Sequence, residues 1–268
     1  MTTGDADLSR IGELLADRAR SRILLALSSG RELSASLLAS EAGVSRSTAS
    51  AHLRKLTEGG LIAVRADGRN RHYRLSGPQV ADILERLTSL SPAEPITSLR
   101  ASTRAGQLRL ARTCYDHIAG RLGVQMMATM LDRGYLDGGD GTFDPDAAEA
   151  DRPASAGQDL DYELTPSGRQ FLDHLRVELP GGRRPVVRYC IDWTETRHHL
   201  AGQVGRGLRD RFLDAGWLER RDTHRALRIT PTGAAVLAAE FDVRLDALPE
   251  EVGKGGVPAV TGCQPMVG

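Results

Sequence analysis

Residues 45–75 read SRSTASAHLRKLTEGGLIAVRADGRNRHYRL, and this stretch decides the fold. Ser45 stands at the head of a helical pattern, with a short hydroxyl side chain suited to accept from an unpaired N–H of the first turn. Ala49, Leu53 and Leu56 then recur at i, i+4 and i+7, the apolar stripe of one helix face. Arg46, Ser50 and Arg54 fall on another face, with Ser47 and Thr48 beside the helix start. Gly59-Gly60 stops the helix and residues 61–64 begin a strand. Asp67-Gly68 supplies a turn, and residues 71–75 return with Tyr73 and Leu75 on one face, His72 and Arg74 on the other. Here Arg46, Arg54, Lys55, Arg65, Arg69, Arg71 and Arg74 face only Glu58 and Asp67, an excess of five positive charges in a chain of zero net charge. Hydroxyl and guanidinium groups on an exposed helix end, beside a cationic hairpin, suit phosphates and base edges. A merely solvated basic surface is the alternative. It ranks behind DNA binding because cap, stripe, glycine stop and hairpin follow in order.

Upstream, residues 33–43 (LSASLLASEAG) predict a short helix with Leu37, Leu38 and Ala42 inward, and Gly43-Val44 turns the chain into Ser45. Two helices joined by a short Gly-containing turn form a helix-turn-helix. Over residues 8–90 the chain resembles the ArsR-type winged-helix transcriptional repressors. The carriers are Ala16-Asp17-Arg18-Ala19-Arg20 with Ile23-Leu24, Leu38-Ala39 before Gly43-Val44-Ser45, the run Ser47-Thr48-Ala49-Ser50-Ala51-His52-Leu53, and a wing of Gly68-Arg69 with Tyr73-Arg74-Leu75. The DNA-contacting residues expected from helix and wing are Ser45, Arg46, Ser47, Thr48, Ser50, Ala51, Arg54, Arg69 and Arg71. In the family the first and last helices of this domain build a two-fold dimer. Ile11, Leu14 and Leu15 in one segment, and Val80, Ile83, Leu84 and Leu87 in the other, suit either that or packing within the chain. A homodimer would read an inverted repeat in double-stranded DNA, with half-sites about one helical turn apart. The family's metal sites are absent, because residues 33–38 hold no cysteine and residues 77–90 hold Asp82 and Glu85 but no histidine.

Composition sets the outer bounds. The 268 residues are 40% hydrophobic and 26% charged, ordinary for a folded protein of two or three units. No apolar run reaches bilayer length and the N-terminus lacks a signal pattern, so a cytoplasmic protein without membrane contact is expected. Three cysteines, Cys114, Cys190 and Cys263, do not make a disulfide framework.

The second informative feature is an internal repeat. R-x-C-x-D followed by H-x-A-G-x-x-G occurs at residues 112–123 and again at 188–205, where Trp193 to His198 are inserted. A Gly-aromatic-Leu triplet follows each, Gly134-Tyr135-Leu136 and Gly216-Trp217-Leu218, then a Thr-Pro-x-Gly helix start at Thr165 and at Thr230. The expected class is mainly α with small β-wings: an N-terminal winged helix-turn-helix plus two diverged winged-helix-like repeats. The boundaries expected are 1–90 for the DNA-binding domain, 91–99 for a linker, 100–180 and 181–248 for the repeats, and 249–268 for a disordered tail. An acidic, mobile loop is expected between residues 136 and 160.

Cys114, His117, Cys190 and His199 are of metal-ligand type. Cys114 and His117 are three apart and Cys190 and His199 nine, so a site within one copy does not follow; one shared between the copies, with two Cys and two His, would suit zinc. The bland reading makes each Cys a small buried hydrophobe, with Arg112–Asp116 and Arg188–Asp192 as i, i+4 helix pairs; it takes precedence, with no metal or cofactor assigned. A cleft between the copies, lined by Tyr115, Asp116, His117, Asp192, Trp193, His198 and His199, would serve a small-molecule effector. GxxxxGK[ST], HExxH and GxSxG are all missing, so no enzyme is expected. The sequence reads as a DNA-binding transcriptional regulator, a repressor controlled by a small-molecule or redox signal through its C-terminal half. A protein-interaction winged helix and a metal or thiol sensor are the alternatives.

Overall fold

A computed structural model describes residues 7–68, 70–91, 98–143, 161–222 and 224–243. Helices α1 (Leu8–Ala16) and α2 (Arg18–Leu27) lead into a short strand β1 (Leu33–Ser34), then α3 (Ala35–Ala42) and α4 (Arg46–Glu58). Strands β2 (Ile62–Asp67) and β3 (Asn70–Leu75) form the wing, and α5 (Pro78–Leu90) closes the domain. Gly43 adopts the left-handed conformation at the end of α3, which only glycine does without strain, and so permits the tight turn into α4. The apolar stripe turns inward as expected: Ala49, Leu53 and Leu56 are buried, as are Tyr73 and Leu75 of the wing. Leu53, Leu56, Tyr73 and Leu75 pack with Ile23, Leu24, Leu27, Leu38 and Leu84 in one core. Each large apolar side chain buried there stabilises the fold by roughly 1.5–3 kcal/mol.

One boundary differs from the sequence reading. Leu33 and Ser34 extend along β3, with Leu33 opposite Tyr73, so the sheet order is β1-β3-β2. Helix α3 begins only at Ala35, and Ser34 caps it by accepting from the Leu37 N–H at 3.3 Å.

The C-terminal half begins with α6 (Leu99–Leu110). A hairpin follows, β4 (Arg112–Cys114) with β5 (His117–Ala119), then α7 (Arg121–Asp132), the short pair β6 (Leu136–Asp137) and β7 (Glu163–Leu164), and α8 (Pro166–His174). The same order returns in β8 (Arg188–Ile191) and β9 (His198–Ala201), α9 (Gly202–Asp214), β10 (Leu218–Arg220) and β11 (Leu227–Ile229), and α10 (Pro231–Phe241). The R-x-C-x-D segments are therefore strands, not helices. Between its two hairpins each unit has a single helix, α7 or α9, with α6 ahead of the first hairpin of the first unit, and Arg112–Asp116 and Arg188–Asp192 are not i, i+4 pairs of a helix.

The Thr-Pro-x-Gly motifs do open helices. Thr165 and Thr230 accept from the N–H groups of Gly168 and Gly233, each at 3.0 Å, while donating to the carbonyls of Gly134 and Gly216, each at 2.8 Å. The two units share one apolar core, in which Ile118, Met127, Leu172, Leu200, Val204, Phe212 and Phe241 belong to a single cluster. Helix α7 lies on β9 and α9 on β5, so each unit's first helix covers the other unit's hairpin.

The two halves of the chain are docked. The Tyr115 N–H donates to the Ser28 carbonyl at the end of α2 at 2.9 Å, and the Tyr115 side chain packs on the N-terminal core. Glu85 of α5 pairs with Arg225, both buried, and Arg31 donates to the Arg221 carbonyl at 3.0 Å. Burial opposes the charge on Glu85, but Arg225 and Arg112 hold its carboxyl below the usual range. On α5, Ala81 and Leu84 face inward while Ile83, Leu87 and Leu90 remain exposed. Among the described residues no helix is long and apolar enough to cross a membrane. Most of the linker, most of the acidic loop, and the tail with Cys263 lie outside the described residues.

Candidate functional site

Two places in the molecule concentrate chemistry. The first is the start of α4. Ser45 accepts from the Thr48 N–H at 3.1 Å, and its hydroxyl also meets those of Ser47 and Thr48 at 2.9 and 2.8 Å. Ser50 donates back to the Arg46 carbonyl at 2.9 Å. Ser45, Arg46, Ser47, Thr48, Ser50, Ala51 and Arg54 are exposed, while the opposite face of the same helix is buried in the core. Arg54 reaches toward Glu58 at 3.9 Å. On the wing Arg71 is exposed, and Arg69 lies outside the described residues. Glu32, which the sequence reading did not single out, ties down the wing's base: it accepts from Arg65 at 2.7 Å and lies 3.8 Å from Arg74. The first turn of α4 thus offers hydroxyls and a guanidinium to a partner, with its axis fixed by Leu53 and Leu56.

The second place is where the two hairpins of the C-terminal half meet. Cys114 is the cross-strand partner of His117, and Cys190 that of His199. Spacings of three and nine are thereby the same geometry, because the second hairpin has the longer turn. Ligand atoms of Cys114, His117, Cys190 and His199 all lie within 4.8 Å of one another, and the four residues are buried. The Nε2 atoms of the histidines face each other at 3.2 Å. Only one of the two can carry hydrogen there, so at least one imidazole presents a lone pair to the centre.

Each Nδ1 faces a carboxylate of its own unit, Asp116 beside His117 and Asp192 beside His199, both at 3.3 Å. Those carboxylates are held from elsewhere. Arg184, just ahead of the second R-x-C-x-D motif, grips Asp116 with both terminal guanidinium nitrogens, one at 3.0 Å. Asp192 lies 3.0 Å from Arg112, accepts from the Gly120 N–H at 2.6 Å and from the Thr194 hydroxyl at 2.6 Å. Arg112 thus crosses to the other unit, fully buried, with its guanidinium stacked over Trp193.

Burial would raise the carboxyls of Asp116 and Asp192, but these partners hold both well below the usual range. The adjoining Cys190 thiol and burial push Cys114 well up. Burial opposes a charge on His117 and His199, yet Cys114 and the neighbouring carboxylates raise both. Gly123 and Gly205 make room for this cluster. A Cβ on Gly123 would meet the Ile118 carbonyl and lie 3.5 Å from His199 Cβ; on Gly205 it would meet the Leu200 carbonyl and lie 3.2 Å from His117 Cβ.

The expected effector lining does not come together as one cleft. Asp116, His117, Asp192 and His199 converge, but Tyr115 packs on the N-terminal core and Trp193 on Arg112. His198 stacks on Tyr189 at 4.0 Å and bonds the Tyr162 hydroxyl at 2.8 Å. The cavity between the units measures about 10 Å³ and is lined by Ile118, Gly123, Met126, Leu200, Gly205 and Leu208. That is room for a single water and far below what an organic ligand needs.

The family described as "Helix-turn-helix domain" matches residues 15–65. An uncharacterized HTH-type transcriptional regulator of Bacillus subtilis (strain 168), YdfF, is 36% identical over 242 residues, covering 89% of this chain and 99% of the relative. The HTH-type transcriptional regulator Rv0324 of Mycobacterium tuberculosis is 38% identical over 74 residues, 28% of this chain and 32% of that protein. Among solved structures, the homodimeric winged helix-turn-helix DNA-binding domain Mb0332 of Mycobacterium bovis is 30% identical, covering 33% of this chain and 89% of its own, at a TM-score of 0.29.

Proposed function

This chain belongs to the HTH-type transcriptional regulators, and from that membership we propose that it reads a specific operator in double-stranded DNA with the first turn of α4. The observation that carries this reading is the helix start itself: Ser45, Ser47, Thr48 and Ser50 are exposed, with Arg46 among them, on one face of a helix whose other face is locked in the core. Arg46, Ser47, Thr48 and Ser50 meet base edges or adjacent phosphates; Ser45 and Ala51 lie alongside; Arg54, Arg69 and Arg71 meet phosphate. The protein acts as a repressor, in the cytoplasm, and has no catalytic role. It works as a homodimer on an inverted repeat, a reading supported by the exposed stripe Ile83, Leu87 and Leu90 on α5 and by α1, which buries no residue within its own chain. The two C-terminal units, bounded at about residues 100–180 and 181–248, are diverged copies of one ancestral unit and form the regulatory half. That the four Cys and His ligand atoms converge favours a metal over an organic effector.

The test is operator affinity by fluorescence anisotropy at fixed salt. Arg46→Ala with Ser50→Ala is expected to cost about 1–3 kcal/mol for each base-reading side chain removed and to relax sequence preference. Arg71→Ala is expected to weaken all sequences alike and to reduce the salt dependence. Unchanged affinity in the double variant overturns the assignment of α4 as the reading helix.

A further inference from the structure

We propose that Cys114, His117, Cys190 and His199 hold one divalent cation of the zinc class in a closed four-ligand site, and that the ion fixes the hairpin on which the DNA-binding domain docks. The second clause rests on the operator-reading function above; the first does not.

Tetrahedral zinc with two nitrogens and two sulfurs places its ligand atoms about 3.3–3.8 Å apart. The four donor atoms already lie within 4.8 Å of one another and the two nitrogens at 3.2 Å, so small shifts complete the shell. A two-iron cluster keeps its ligand pairs on different metals and does not fit so tight a set. Both histidines have a carboxylate 3.3 Å from Nδ1, hydrogen-bonded in the case of His117, in the outer position that orients a metal-binding imidazole and leaves Nε2 for the metal. Charge selects the class. Two thiolates neutralise a divalent ion and leave a buried centre without net charge, whereas a monovalent ion would leave one negative charge to bury. Four protein ligands with no open position serve holding or sensing, not catalysis.

The same hairpin is fixed to the DNA-binding domain on both sides of Cys114. Next to it, Tyr115 donates to the α2 terminus at Ser28, and Gly30 has no room for a side chain against the Tyr115 carbonyl. On the other side, the Thr113 N–H donates to the Arg225 carbonyl at 2.9 Å, and the Arg225 guanidinium pairs with Glu85 on α5. Helix α2 packs directly on α3 and α4. An ion that sets the angle between the hairpins therefore sets the seat of α2 and α5.

The experiment uses the full chain, reduced and stripped with a chelator. Cobalt(II) is expected to bind at one equivalent per chain, giving the visible bands of tetrahedral cobalt and a thiolate charge-transfer band, both displaced by zinc. C263S should leave the spectrum unchanged, while C190S should lose about half of the thiolate band and at least about tenfold in affinity. Circular dichroism on the same samples reports whether each variant folds. A folded stripped protein that takes up no cobalt overturns the site. Operator affinity should differ about 5–150-fold between zinc-loaded and stripped protein, and Y115A should abolish that difference while keeping the cobalt spectrum. Equal operator affinity in both wild-type states, with the spectrum intact, overturns the coupling alone. Loss of operator binding in every state, with the spectrum intact, overturns the reading function and leaves the metal site standing.

Discussion

The reading helix and the Cys/His cluster place their functional groups by opposite means. In α4 the cap, the exposed hydroxyls and the buried stripe all lie within Ser45 and the helix Arg46–Glu58, and one turn of backbone orients them. In the cluster the two histidines that touch are 82 residues apart, and Asp192 is held by Arg112 and Gly120 of the other unit. The first site draws its reading groups from one continuous segment, on a helix seated against α2 and α3. The second depends on two hairpins, two helices and Arg184, which lies ahead of the second hairpin. The difference teaches how each site is assembled: the reading groups by local backbone, the cluster by a scaffold that spans both units.

The largest expected effect tests that claim at the buried ion pair. Arg112→Met leaves Asp192 charged in the interior without its guanidinium, and should cost about 3–5 kcal/mol in denaturant unfolding. Arg54→Ala, which removes the exposed pair with Glu58, should change stability by no more than about 0.5 kcal/mol. Equal costs would erase the contrast between the two regions.

A pair of glycines gives a middle-sized test. At Gly205 a methyl group has no space against the Leu200 carbonyl and the His117 side chain, so Gly205→Ala should destabilise by about 1–3 kcal/mol. Gly12 in α1 has nothing within 4 Å of its missing Cβ, and Gly12→Ala should stabilise by about 0.5–1 kcal/mol through helix propensity. Opposite signs in thermal melts sharpen the comparison; the same sign in both breaks it. The most local expected effect is that of Ser45→Ala. Loss of the cap on the Thr48 N–H should cost about 1 kcal/mol, read by hydrogen exchange in the first turn of α4.

The legible and illegible parts of the molecule divide along the same line. Helix caps, i to i+4 stripes and glycine stops are short-range, so α4, the wing and the Thr-Pro-x-Gly helix starts stand plainly in the sequence. The repeated motif is legible too, because identical spacing needs no structure to be seen. The hairpin state of R-x-C-x-D is not. A spacing of three between Cys114 and His117 fits one helix turn and one tight β-turn alike, and Tyr115 in the left-handed region decides for the turn. The strand at Leu33 depends on Tyr73, 40 positions further along the chain. Arg184 and the Glu85–Arg225 pair carry no motif at all; only the packed fold brings them to their partners.

The exchange of covers between the units, α7 over β9 and α9 over β5, has a consequence for how such a module is inherited. Either unit passed on alone would lose much of its own hairpin's helix cover and take away much of the other's. A domain border drawn midway through this half would cut a clasp, not a hinge. The smallest piece that recombination can move intact is the pair, and drift in one member is registered at the histidine of its sibling.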